Sequence, residues 1–221
     1  MIGLKAKIYL IDYSVGTTSN FVVDRQNLLS LSSKTIGRDD KSKPSFGIVS
    51  NSSSIEFKDT DGTLYKYAQQ GVLTKNLKVE TFVYDTLAKH EQLVSTMFTD
   101  NWDYNSDTSS FTVQTTDGLT DWQEIIFPRL SIDPRKSNTT NMVSIYGRLA
   151  EFANANSRVK VADFANLDGK TQKVLQETNL LYPILHEGSL WEQFTKLCVA
   201  CRLHIYANEK GEAMPHYEYG E

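Results

Sequence analysis

Cysteine is nearly absent from this chain. There are two in 221 residues, Cys198 and Cys201, too few for the disulfide framework of a small secreted domain. Basic charge is not in excess either. Lys and Arg number 23 against 27 Asp and Glu, a formal net charge of −4, which argues against a nucleic-acid binder with its clustered basic patch. No apolar run approaches the ~20 residues of a membrane-spanning helix. The opening MIGLKAKIYLIDY alternates and carries Asp12, so it reads as a strand and not as a signal peptide. No serine stands in a G-x-S-x-G elbow, and no glycine run resembles a phosphate loop. The four histidines, His90, His186, His204 and His216, fall in no H-E-x-x-H or comparable pattern, and His90 in LAKHEQ reads as a solvated loop residue. Two sequons, at Asn51 and Asn138, read as polar loops. What remains is 40% hydrophobic and 23% charged, an ordinary globular composition of a length for one large domain or two small ones.

The first half is strand-like. Lys5 to Tyr13 alternates, with Ile8 and Leu10 on one face and Tyr9, Ile11 and Tyr13 on the other. Phe21–Val23, SIEFK from Ser54, LKVETFVY from Leu77, Leu93–Phe98 and Phe111–Thr115 repeat the period-2 pattern of half-buried strands. Asp61-Gly62, Gly71, Asn105-Ser106-Asp107 and Asp117-Gly118 punctuate them. Short strands so spaced predict a barrel or sandwich. Ser30 to Ser45, SLSSKTIGRDDKSKPS, has few core-forming residues and reads as a long loop or arm that orders on a neighbour.

The pattern changes near Leu119. Asp121 to Leu130 places Trp122, Ile125 and Ile126 at helical spacing until Pro128. Ser131 to Asn141 is a linker by composition. Met142, Ile145, Tyr146, Leu149 and Phe152 mark an amphipathic helix, and Val159 and Val161 a short strand. Ser189 and Glu192 form a capping box ahead of a helix with Leu190, Phe194, Leu197 and Cys201 on one face. Leu203–Tyr206 is then a strand, Asn208–Gly211 a turn, and Ala213 onward the start of a return strand. The chain ends as that strand begins, so this α+β unit reads as incomplete.

Candidate chemistry is thin. Cys198 and Cys201 are spaced C-x-x-C with His204 three residues on, but within a helical pattern and without an evident fourth ligand for zinc. They read as reduced thiols packed as small apolar residues. Asp100, Asp103 and Asp107, and Asp59 with Asp61, could serve acid–base chemistry, a metal-dependent hydrolase or calcium. KDTDG nevertheless lacks the distal Glu of a calcium loop, and Asp is a default turn former. Trp102 and Tyr104 share one strand face beside carboxylates. They are the candidate interface or ligand contacts, read as core or subunit-contact residues ahead of a sugar platform.

Taken in order, several segments resemble a known family. Ser54–Asp59 with Asp61-Gly62, Gly71-Val72-Leu73 followed by Leu77–Glu80, Phe98–Tyr104, and Phe111 to Leu119 are similar to the first domain of the tail-hub (baseplate hub) proteins of long-tailed bacteriophages and contractile injection particles. Gly188 to Gly211, with its capped helix bearing Trp191, is similar to the second domain of such hubs. The chain is short for a full hub, which points to the N-terminal part of a longer hub or a reduced version. It carries no lysozyme-like or peptidase segment. The resemblance implies an α+β, β-rich fold: an N-terminal β-barrel domain over 1–118, and a smaller α+β domain over 119–221 with a linker near 131–141. It implies a non-enzymatic virion component with no catalytic residue, metal or cofactor. It would self-associate as a trimer of barrels with pseudo-sixfold outline, and dock on tail-tube, distal tail, fibre or tape-measure proteins. DNA would meet it only by passage through a channel. The rival expectation is a carbohydrate-binding receptor-recognition β-domain using Trp102 and Tyr104.

Overall fold

The computed structural model describes residues 2–12, 17–24, 26–36, 46–71, 73, 77–85, 87–131, 140–180, 184–185 and 187–217. Most of the expected loop tip (37–45), most of the linker (132–139), His186 and Asn138 lie outside the described residues. The rest divides into two compact units: 1–35 with 51–117 and 209–211, and 36–50 with 118–208 and 212–221.

The strands of the first half are β1 (Ile2–Asp12), β2 (Thr17–Val23), β3 (Leu28–Ile36), β4 (Gly47–Ile48, of the second unit), β5 (Ser50–Lys58), β6 (Lys78–Asp85), β7 (His90–Asn105) and β8 (Ser110–Thr116). One short helix, α1 (Thr63–Gln69), stands between β5 and β6. Seven of these strands form one curled sheet in the order β2-β1-β6-β7-β8-β5-β3. The alternation in the sequence places Ala6, Ile8, Ile55, Phe57, Val79, Phe111 and Val113 on its concave side, where they form the core with Val23, Leu64 and Leu77.

The sheet does not close as a ring of ladders. β2 and β3 are its two edges, yet only residues 24–27 separate them. Across it Leu28 N donates to Asp24 O at 2.8 Å. Every ladder from β2 to β5 is antiparallel. Lys58 N bonds Asn27 O, and Ser30 Oγ bonds Glu56, so β3 runs antiparallel to β5. Alternating sense over an odd number of strands brings β2 and β3 to the seam pointing the same way. They therefore cannot pair as a hairpin, and the chain bends at 24–27 and crosses from one edge of the sheet to the other. The expected barrel is, among the described residues, a half-barrel with an open seam. The expected loop is corrected as well, since Ser30 to Ile36 lies in β3. Backbone pairing with β5 and the anchoring of Leu28 on the core order a serine-rich stretch that its own composition does not.

The second unit is α+β. After a 3-10 turn (Leu119–Gln123) come β9 (Ile126–Phe127), β10 (Leu130–Ser131), β11 (Thr140–Asn141), α2 (Met142–Asn156), β12 (Lys160–Val161), α3 (Gly169–Glu177), β13 (Asn179–Leu180), β14 (Ile184–Leu185), β15 (Gly188–Ser189), α4 (Leu190–Cys201), β16 (Leu203–Ala207) and β17 (Glu212–Tyr217). β16 and β17 form the expected hairpin, extended to a sheet of order β12-β17-β16-β4. The helix expected over Asp121–Leu130 does not form. One 3-10 turn buries Leu119 and Trp122. Ile126 and Phe127 then pair with Ser189 and Gly188, leaving Ile126 56% exposed. The tie that stops the helix is backbone pairing from a segment sixty residues away. α2 and α4 bury the expected faces: Met142, Ile145, Tyr146 and Leu149, and Leu190, Phe194, Leu197 and Cys201. Trp122 stacks on Phe194 at 4.6 Å and donates from Nε1 to Ser157 Oγ. Arg158 grips the Asp121 carboxylate with two N–H groups, at 2.6 and 3.1 Å. Ser189 caps α4, its hydroxyl accepting from Glu192 N. The preceding Gly188 leaves room for the returning Glu192 carboxylate, which a Cβ there would meet at 2.7 Å.

Candidate interaction surface

Trp102 and Tyr104 owe their direction to a β-bulge. The β7–β8 register runs Thr99↔Thr115 and then Asn101↔Gln114, so Asp100 is the extra residue. A bulge shifts the face on which the following side chains lie. Beyond it Trp102 stands opposite Val113 and Tyr104 opposite Phe111, both buried. In a regular strand that kept Asp100 without a bulge, the two aromatics would face the same way as Phe98, whose partners Lys78 and Thr116 are only half-buried. Trp102 meets Phe111 edge-on at 6.3 Å, and Tyr104 lies 4.8 Å from Phe111. Both rings are half-buried and packed on the core.

A third aromatic joins them from an element the sequence reading missed. Tyr65 on α1 is 40% exposed, its ring 4.8 Å from that of Tyr104. α1 is fixed by the acidic turn before it. The buried Asp59 carboxylate accepts from Tyr65 N at 2.9 Å and Leu64 N at 3.4 Å, satisfying first-turn amides of the helix. The Asp61 carboxylate accepts from Thr63 N, and that bond holds its carboxyl below the usual range. Gly62 and Gly71 bracket the helix at φ of +69° and +68°, a region open to glycine. The DG and the later glycine were therefore the legible signal of a short helix.

The other acidic candidates scatter. Asp107 lies in the β7–β8 turn, its amide bonded to Asn105 Oδ1. Asp100 and Asp103 lie inside β7, not in the turn expected of them, and both are exposed. Asp117 is buried and accepts from Asn51 N, which sets Asn51 in a strand and not in a loop. His90 opens β7, paired with Asp85. Among the described residues no three His, Cys, Asp or Glu side chains converge as a metal site. Cys198 and Cys201 are buried free thiols. Burial raises the pKa of both, Cys201 to about 11 and Cys198 further, which leaves them protonated and unreactive at neutral pH. His204 stands across the ladder from His216 and 5.5 Å from the Phe46 ring. His216 Nδ1 approaches Asp168 Oδ2 at 3.3 Å.

The convex face of β1 and β6 is a compensated charge lattice. Lys5 and Lys7 share Glu91, and Lys78 pairs with Glu80. Tyr9 donates to Glu80 at 2.6 Å. That bond, with burial and the carboxylate charge, pushes the phenol up to about 12. Lys7 lies over Phe82. The seam is different. Val22 on β2 and Leu29 and Leu31 on β3 are 36%, 47% and 38% exposed. β3 is nine residues long, with one lysine and no proline. Most natural edges are shortened or charged against pairing with another chain; this one is not.

No protein-family model matches the chain, and no curated protein matches it in sequence. Solved structures do. A tail protein from Neisseria meningitidis MC58 aligns over 99% of this chain and 53% of its own, with a TM-score of 0.50 and 12% identity. The 43 kDa tail protein of prophage MuSo2 from Shewanella oneidensis aligns over 99% of this chain and 56% of its own, with a TM-score of 0.46 and 12% identity. This chain thus spans about half the length of each. At such identity the likeness to the Neisseria protein is one of fold.

Proposed function

We propose that this chain is a structural component of a phage tail, placed at the tail tip or baseplate hub, where it assembles as a ring between the tail tube and the distal tip or fibres. The observation that carries this reading is the fold. The chain aligns with a tail protein along 99% of its length. The open seam supports it. Two sheet edges of the same sense with no partner strand among the described residues, and exposed leucines on β3, suit heterologous contacts, which close into rings where the rotation closes. Trp102, Tyr104 and the adjoining Tyr65 are the proposed aromatic contacts at such an interface. The isolated protein is expected to form trimers or larger rings at high concentration, or with its tail partners present. Light scattering after size exclusion tests this, and a monomeric mass that persists with those partners overturns it. Leu29→Lys with Leu31→Lys should reduce the assembly without unfolding the chain.

The carbohydrate reading has one observation in its favour, the exposed Tyr65 beside Tyr104. Against it, the Trp102 indole is half-buried and packed on the core beside Phe111. Glycan-array binding abolished by Trp102→Ala, with fold retained, would decide for it.

A further inference from the structure

Both edge strands of the seven-stranded sheet lack the usual guards against pairing. β2 (TTSNFVV) has no charge and no proline, and β3 (LLSLSSKTI) has Lys34 as its single charge. Neither has a partner strand on its outer side among the described residues. Each therefore presents a row of backbone N–H and C=O groups that another strand can satisfy in register. Apolar side chains flank both rows. Phe21 and Val23 on β2 and Leu28 on β3 pack on the core. The alternation of a strand then turns Val22, Leu29 and Leu31 outward, where they are 36%, 47% and 38% exposed.

Resting on the ring reading, we propose that the β3 edge of each copy pairs with the β2 edge of the next. The occupant is a strand, because extended backbone is what matches such a row. It is a strand of low charge, because Lys34 is the one charged group on either edge strand. The β2 strand of a second copy meets both conditions. It also meets a third. Pairing β3 with β3, or β2 with β2, leaves the other edge of every copy open, whereas β3 with β2 uses both edges and leaves none. The two edges point the same way, so a rotation about an axis along the strands joins them as a parallel ladder. The partner subunit's Val22 then lies beside Leu29 or Leu31, and the exposed apolar side chains are buried together.

The test is oxidative cross-linking of the full chain, since paired strands stand roughly 4.8 Å apart, within reach of a disulfide. Val22→Cys, Leu29→Cys and Leu31→Cys, each alone, should give no covalent dimer, because no edge meets its own kind. A mixture of Val22→Cys with Leu29→Cys or Leu31→Cys should give one, and a double variant carrying both changes should link into closed rings. The native Cys198 and Cys201 are buried and add no background. Val22→Lys should reduce assembly as Leu29→Lys does, although it lies on the other edge; circular dichroism checks that each variant is folded. A dimer from Leu29→Cys or Leu31→Cys alone, a double variant that stops at the dimer, or normal assembly of Val22→Lys would each overturn the proposal. Light scattering separates it from the reading it rests on. Trimers or larger rings that do not cross-link overturn the pairing alone, and a monomer that persists with tail partners present overturns both.

Discussion

If Trp102 is held by the core, removing it must destabilise the first unit even where nothing binds. A tryptophan buries ~150–250 Å² when fully enclosed. Trp102 is half-buried, so about 100 Å² of apolar surface is at stake. At ~25 cal/mol per Å² this amounts to about 2.5 kcal/mol. The edge-on contact with Phe111 adds ~0.5–1 kcal/mol. Trp102→Ala should therefore cost about 3 kcal/mol, and Tyr104→Ala, which loses rings at 4.8 Å on both sides, a similar amount. The assay is urea unfolding followed by circular dichroism, with hydrogen exchange on β7 and β8 to assign the loss to this unit. A cycle with Phe111→Leu separates the pair contact, where a coupling of roughly 0.5–1 kcal/mol is expected. A Trp102→Ala variant within ~0.5 kcal/mol of the parent, the range of ordinary surface changes, would refute the reasoning. The indole would then be free for a ligand or a partner.

Three further outcomes follow from the geometry. Asp59→Ala should cost about 1–2 kcal/mol through loss of the cap on α1, with faster exchange at Leu64 and Tyr65, whereas Asp59→Asn should retain most of it. Burial opposes the Asp168 charge, but hydrogen bonds from the Thr171 hydroxyl and amide and from His216 outweigh it and hold the carboxyl below its usual range. Its stabilisation is thus present above the unfolded value of ~3.9 and lost as pH falls through the lower folded value; Asp168→Asn should flatten that acid limb of the melting curve, and an unchanged limb would count against it. Cys198 and Cys201 should resist a disulfide reagent at pH 8 in the native state and react once guanidinium is added; prompt reaction of the folded protein would show that the thiols are not enclosed.

Much of the architecture was legible in the residues. Alternation located β1, β5, β6 and β8 because one face of each is buried and the other is not. The i, i+3, i+4, i+7 spacing located α2, and Ser189 with Glu192 located the start of α4, since these are local rules the chain satisfies with its own neighbours. Two of the misses share a cause. Ser30 to Ile36 reads as a loop, and Asp121 to Leu130 as a helix, because in both the backbone partner is distant: β5 for one, Gly188-Ser189 for the other. α1 was hidden because a seven-residue helix has little periodicity. Its signal was the pair of bracketing glycines and the aspartate that caps it.

By itself the sequence determined the β-rich first half, the α+β second half, the capped start of α4, and the scarcity of any catalytic constellation, because composition and short-range pattern fix local burial. Only the tertiary structure decided two things. Seven strands of alternating sense leave a seam between β2 and β3. One extra residue at Asp100 turns Trp102 and Tyr104 onto Phe111. Each depends on which strand or helix stands beside which, and that is set by hydrogen-bond register and packing between segments far apart in the chain.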